Sequence, residues 1–198
     1  GLLEAGPVVS LNPPNLENRK AGSVGNAIPG VEVAIFDDSK KKRKTGEIGE
    51  IAVKSSGMML EYYKDKSSTK KALHKGWLLT GDLGKIDQDG YLYILDRKTD
   101  IINCDGTVVF PKDIEQIVHT HEDIEEVAVI GVKDREYGNI PFIVVRLKEN
   151  AVVTAENLKT YIYSKGFNSV PVKVEIWDDI PRSSIGKILK REIKRMLK

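Results

Sequence analysis

Lys187 follows Gly186 in the bend Ser183-Ser184-Ile185-Gly186, just ahead of a strongly basic segment that runs to Lys198. A lysine at the mouth of such a bend, anchored by a helix, suits a long ammonium arm that reaches into a cleft elsewhere, or simply a solvated surface lysine. A Walker phosphate loop needs glycine five positions before the Gly-Lys step and Ser or Thr after it. Pro181 and Ile188 hold those places, which excludes that cradle. In "LLTGDLG", residues 78–84, Asp82 follows Thr80-Gly81. A carboxylate there can accept two hydrogen bonds from a vicinal diol such as a ribose, or simply stabilise a turn. In "DRKTDIINCDG", residues 96–106, Arg97 offers a planar fork to a phosphate or ribose oxygen. Gly106, beside Asp105, permits close approach of a ligand or another backbone. Glu4, in "GLLEAG", is a lone loop carboxylate of the kind that holds Mg²⁺ beside a phosphate.

Other reactive side chains fall away. His119 and His121 are two apart, so a helix points them to different faces and no shared metal is expected. His74 has no partner nearby in the sequence. The single cysteine, Cys104, excludes an internal disulfide and a multi-cysteine metal site, suits a reducing compartment, and reads as a thiol on a loop edge.

The elements that must position these residues divide into two textures. Residues 1–30, rich in Gly, Pro and Asn, read as loop. "VEVAIFD" and "EIAVK" read as strands around the basic run 40–44, taken as a solvated hairpin loop. "STKKALHKG" reads as a short helix with Ser68 as its cap and Gly76 as its stop. Asp89-Gly90 marks a hairpin turn between two extended segments. Beyond Arg97 the pattern becomes α-β-β-α-β-α. "PKDIEQIVHTH" and "TAENLKTYIYSKG" are helical, "EEVAVIGV", "PFIVVRLK" and "VKVEIW" are strands, and the tail carries Leu189, Ile193, Met196 and Leu197 on one face. The expectation is an α+β protein, β-rich over 1–96 and a small α/β domain over 97–198.

Across 198 residues, 40% are hydrophobic and 30% charged, a soluble globular composition. The net charge of +2, from 31 basic and 29 acidic residues, gives no strong field toward nucleic acid or anionic lipid. The tail is locally basic, with Glu192 its one acid, but it lacks aromatic stacking partners, which weighs against a nucleic-acid-binding module. No apolar run of ~18 residues could span a bilayer. The opening "GLLEAGPVVSLNPP" has no basic flank and breaks at prolines, so no secretory leader is expected in it. A chain beginning at Gly1 without methionine is expected to be part of something longer.

Six motifs in collinear order are more specific than any one of them. "GLLEAG", "GEIGEIAVKSSGMMLEYY", "GWLLTGDLG", "DGYLYILDRKTDIINCDG", "FPKDIE" and "IPRSSIGKILKRE" together resemble the C-terminal part of the AMP-forming acyl- and aryl-CoA synthetases. That superfamily includes firefly luciferase and the adenylation domains of peptide synthetases. The resemblance implies a barrel-like β-rich piece of the large adenylation domain, followed by a mobile small domain. It implies ATP or AMP, Mg²⁺ and coenzyme A as cofactors, and a carboxylate, of fatty-acid type, as substrate. It assigns Lys187 to adenylation, Asp82 and Arg97 to the adenylate's ribose and phosphate, Glu4 to Mg²⁺, the Asn103–Gly106 loop, with Asp105 and Gly106 as cofactor-binding residues, to the thiol path, and Thr99 to the hinge. Leu3 stands where the family usually carries a threonine hydroxyl. By the same resemblance the N-terminal half of the enzyme, with the phosphate loop and acyl pocket, lies upstream, so this chain alone is expected to be inactive. A cytoplasmic location is expected. "FPKDIE" favours coenzyme A over an acyl-AMP ligase that loads a carrier protein.

Overall fold

The computed structural model describes residues 1–197, leaving Lys198 of the basic tail outside the described residues. The chain divides into two compact units, Gly1–Thr99 and Asp100–Lys198.

The first unit opens with β1 (Ser10–Leu11) and β2 (Asn26–Ala27), paired antiparallel. Its main sheet is built from β3 (Val31–Phe36), β4 (Gly49–Ser55), β5 (Leu73–His74), β6 (Trp77–Ile86) and β7 (Leu92–Arg97), with helix α1 (Lys66–Ala72) ahead of β5. The path runs β3-β4-β6-β5, and β7 pairs with β6, every pairing being antiparallel. The sheet is therefore open, not a closed barrel. β4 lies in its middle and is buried on both faces, since successive side chains of a strand point to opposite sides. Ile51 and Val53 enter a core with Ile35, Leu78 and Leu92. Ala52 faces the other way, against Phe36 and Trp77.

Two local expectations change. α1 begins two residues before Ser68, because the Asp65 carboxylate accepts the Ser68 amide at 2.9 Å and takes the cap. Its C-terminal end is drawn into β5, which returns into β6 through Lys75 and Gly76, both at positive φ. The Thr80-Gly81 step is a kink inside the ten-residue strand β6, not a turn that ends it. Gly81 sits at φ +76°, and the β6–β7 pairing shifts register between Leu83 and Gly84. The basic run 40–44 is exposed between β3 and β4 as expected, with the Lys42 ammonium 4.3 Å from the centre of the Trp77 ring.

The second unit runs β8 (Ile102–Cys104), β9 (Thr107–Val109), α2 (Pro111–His119), β10 (Ile124–Asp134), β11 (Gly138–Leu147), α3 (Ala155–Ser164), β12 (Lys173–Ile176) and α4 (Lys190–Met196). β10 and β11 form a long antiparallel hairpin, and β12 lies parallel to β11, as a crossover through α3 requires. Both faces of this sheet are covered, which explains why β10 and β11 read as nearly continuous apolar runs. Val129, Ile143 and Val145 pack with Ile114 and Val118 of α2 and Leu158 and Ile162 of α3. Ala128, Ile130, Phe142 and Val144 pack on the other face with Ile193 of α4 and Ile180. Pro111 opens α2, and Thr154 and Asn157 form a reciprocal cap on α3.

Cys104 corrects the loop-edge expectation. It is 2% exposed, because the alternation of β8 turns Ile102 and Cys104 inward and Asn103 outward. Burial, with the Asp105 and Asp134 charges behind it, pushes its thiol pKa up, so it is a core residue and not a nucleophile. No helix among the described residues is long and apolar enough to cross a membrane.

Candidate functional site

Asp82 and Arg97 are cross-strand partners in the β6–β7 register, and Arg97 Nε lies 2.8 Å from Asp82 Oδ1. The kink at Gly81 fixes where this pair stands. The Thr80 hydroxyl donates to the Ile51 carbonyl at 2.8 Å and accepts the Asp82 amide at 3.1 Å, so the backbone entering Asp82 is held from both sides. The Gly81 amide donates to Glu50 Oε1 at 3.1 Å. Asp96, 9% exposed, accepts the Arg97 amide at 2.9 Å.

This pair lines a pocket of about 260 Å³ within the first unit, whose wall also includes Glu4, Tyr62, Thr80 and Ile94. Glu4 reaches it from the opening loop, and its Oε1 accepts the Tyr62 hydroxyl at 3.0 Å. Burial and that hydrogen bond raise the Tyr62 phenol pKa, which keeps Tyr62 the donor. Three residues singled out in three separate stretches of sequence thus share one cavity. The wall combines an apolar floor with a carboxylate, a guanidinium fork and a second carboxylate, a donor set that fits a ribose and a phosphate. Mg²⁺ is commonly held by one or two carboxylates together with phosphate oxygens, so Glu4 fits a magnesium ion arriving with a nucleotide. Among the described residues no group of three or more His, Cys, Asp or Glu could hold a metal by itself. Leu3 is 99% exposed and supplies no hydroxyl.

Tyr62, Thr80 and Lys98 belong to this region without having been singled out in the sequence. Lys98 donates its backbone amide to the Gly81 carbonyl at 2.8 Å. Its ammonium lies 2.9 Å from Asp38 and 3.1 Å from Glu50, and those carboxylates raise its pKa. The chain is thus fastened to the first unit up to Lys98, one residue before Thr99. No local signal marks these partners, since Tyr62 and Glu4 lie 58 positions apart and Lys98 and Glu50 lie 48 apart.

Lys187, Asp105 and Gly106 are in the second unit and do not line this pocket. Lys187 is exposed on a turn closed by three hydrogen bonds. Ser183 N donates to Lys187 O at 2.8 Å, Gly186 N to Ser183 O at 2.9 Å, and Lys187 N to the Ser183 hydroxyl at 3.2 Å. Gly186, at φ +80°, supplies the left-handed backbone that closes it. Asp105 and Gly106 form the exposed tip between β8 and β9 at φ +46° and +81°. Asp105 donates its amide to the Tyr137 carbonyl, and Gly106 donates to Asn103 Oδ1 at 2.9 Å. Three cations of the basic tail are paired within the unit: Arg182 with Glu126, Lys190 with Glu115 and Arg195 with Glu192.

Residues 1–63 match the family model described as AMP-binding enzyme, and residues 113–187 match the AMP-binding enzyme C-terminal domain. The long-chain-fatty-acid–CoA ligase of Salmonella typhimurium is 37% identical over 196 residues, covering 98% of this chain and 34% of that protein. The 2-succinylbenzoate–CoA ligase of Geobacillus kaustophilus is 33% identical over 198 residues, covering 100% of this chain and 40% of the ligase. The o-succinylbenzoate CoA synthetase of Bacillus subtilis, solved with its acyl-adenylate intermediate, superposes with a TM-score of 0.88 at 30% identity, covering 98% of this chain and 40% of the synthetase. The chain thus spans between a third and two fifths of the length of these relatives.

Proposed function

This chain belongs to the AMP-binding enzyme family, and from that premise we propose that it is the C-terminal part of an ATP-dependent, AMP-forming acyl-CoA ligase. Residues 1–96 are the end of the large adenylation domain and residues 97–198 the small domain, with Thr99 at the pivot. A carboxylate oxygen of the substrate attacks the α-phosphorus of ATP, and pyrophosphate leaves. The thiol of coenzyme A then attacks the acyl carbonyl of the resulting acyl-adenylate, and AMP leaves with the electron pair.

The observation that carries this reading is the convergence of Glu4, Asp82 and Arg97 on one pocket. Asp82 accepts the ribose hydroxyls. Arg97, held to Asp82 at 2.8 Å, presents its remaining N–H groups to the ribose or phosphate. Glu4 is the ligand for Mg²⁺, which when bound offsets the charge of the phosphates. Lys187 stabilises negative charge that develops during adenylation, where a cation in a water-poor site acts most strongly. It leaves for the second half-reaction, when the small domain turns and presents the Asp105-Gly106 tip beside the thiol path. A fatty acid is the favoured substrate, in line with the long-chain-fatty-acid ligase relatives, and coenzyme A is favoured over a carrier protein as acceptor.

The test is ATP–pyrophosphate exchange with hexadecanoic acid and with 2-succinylbenzoic acid. The longer protein that carries this chain is expected to exchange in the presence of the fatty acid, and the 198-residue chain alone is expected to be silent. Exchange by the chain alone would overturn the division into parts. Absence of exchange by the longer protein across a wide panel of carboxylic acids would overturn the ligase itself.

A further inference from the structure

The turn that carries Lys187 has an exposed tip, with Ile185 87% exposed, so no apolar packing holds the tip itself. Its legs are held instead. Leu189 N donates to Pro181 O at 2.8 Å, and Arg182 bridges Ile188 across the two strands. Ile180, fully buried, and Ile188 anchor the legs in the apolar core beneath α4. Beyond this, each flank carries a cation bound to a carboxylate rooted on another element. Before the turn, Arg182 pairs with Glu126 of β10. After it, Lys190 lies 2.7 Å from Glu115 of α2, and the same Glu115 oxygen accepts the Val129 amide of β10 at 2.8 Å.

Glu126 is the centre of this arrangement. It lies opposite Arg146 in the β10–β11 register, and Arg146 Nε meets its Oε2 at 3.1 Å while Arg182 takes Oε1. Glu125 holds the other side of Arg146 at 2.8 Å. One carboxylate, its side chain 15% exposed, therefore separates two guanidinium groups. Without its charge the two cations face one another across the sheet edge, and Arg182, the more exposed of the two at 35% against 28%, is the one free to swing out. Partly exposed ion pairs contribute little to overall stability. What this network does is tie both flanks of the turn to β10 and α2, and a reacting group on a four-carbon arm is sensitive to how its backbone is held.

We propose that Glu126, clamped between Arg146 and Arg182, is a positioning residue for Lys187 that sets the aim of its ammonium during adenylation. This rests on the reading of Lys187 as the adenylation lysine. Glu126 touches no substrate; it acts through Arg182 and the backbone of the turn.

The experiment is a pair of single-turnover measurements on the longer protein, with hexadecanoic acid and ATP for the first half-reaction and supplied hexadecanoyl-adenylate and coenzyme A for the second. Glu126→Gln is expected to slow adenylation by about 10- to 100-fold, the range a misaimed group produces, with thioester formation changed less than about twofold. Glu126→Asp recovers most of the rate. Arg182→Leu reproduces the defect, and combining it with Glu126→Gln adds little, as coupled residues require. Amide exchange at Ser183 and Lys187 in the 198-residue chain quickens in Glu126→Gln. Equal loss in both half-reactions, or no loss of adenylation, overturns the proposal, as does a Glu126→Asp no better than Glu126→Gln. Lys187→Ala separates the two possible failures. If Lys187→Ala retains adenylation, the reading of Lys187 fails; if it abolishes adenylation while Glu126→Gln does not, only the positioning role fails.

Discussion

Replacing Lys187 with alanine is expected to slow acyl-adenylate formation about 10²- to 10³-fold in the longer protein, while thioester formation from supplied acyl-adenylate stays within about threefold. The magnitude is that of removing one preorganised charge or donor aimed at a transition state. The asymmetry follows from where the lysine stands. Its backbone is fixed by the bonds to Ser183, its side chain is exposed, and it lies in the unit that does not contain the pocket of Asp82 and Arg97. On the proposed mechanism, a group so placed contributes only when its unit is brought to the reacting phosphate. Folding is expected to be unaffected, because the exposed side chain fills no core. Rapid-quench measurement of each half-reaction decides the matter, and an equal loss in both would show that the lysine serves binding in general.

Asp82→Ala is expected to behave differently, impairing both half-reactions by about 10²-fold. A hydrogen bond to a charged group contributes about 1.5–3 kcal/mol, and two such bonds to a ribose are lost when the carboxylate goes. The adenylate's ribose is present in both half-reactions, so the defect appears as a raised KM for ATP in the first and weakened hold on acyl-adenylate in the second. The variant also leaves Arg97 without its partner at 2.8 Å. The thermal midpoint is expected to change little. The Asp82 and Arg97 side chains are 25% and 59% exposed, and a pair in that setting contributes less than about 1 kcal/mol. A large loss of stability, or a defect confined to one half-reaction, would contradict the ribose assignment.

The two variants together test the proposed separation of a shelf that grips the nucleotide throughout from an arm that visits it once. That separation was partly legible in the sequence. The second unit announced most of its elements, because α2 and α3 carry a helical period and start signals, Pro111 and Thr154, while β10, β11 and β12 read as short apolar runs. The convergence of Glu4, Asp82 and Arg97 was legible only through the order of the motifs, since no periodicity links a loop at the start of the chain to a strand pair some eighty residues on. The partners of those residues were not legible at all. Tyr62 meets Glu4, and Lys98 meets Asp38 and Glu50, only after the sheet has formed. Ser68 lost the cap to Asp65 because that carboxylate, immediately before the helix, accepts the Ser68 amide and so draws Ser68 into the first turn. Cys104 was placed on a loop edge because the three-residue strand β8 is too short to show an alternation, yet that alternation is what buries it. The Glu126 clamp escaped notice for a related reason. Its members come from β10, β11 and the turn before α4, and each reads as an ordinary surface charge until the register Glu126–Arg146 is known.

On the proposed mechanism the unit bearing Lys187 moves relative to the unit bearing Asp82 between the two half-reactions. Spin labels at Leu60→Cys and Val152→Cys, at side chains 92% and 95% exposed, report that motion by their separation in the longer protein, and buried Cys104 takes up no label. The predicted result is two distance populations, one favoured by a non-hydrolysable ATP analogue with the carboxylic acid and the other by an acyl-adenylate analogue with coenzyme A. A single distance that neither pair of ligands shifts would contradict the account.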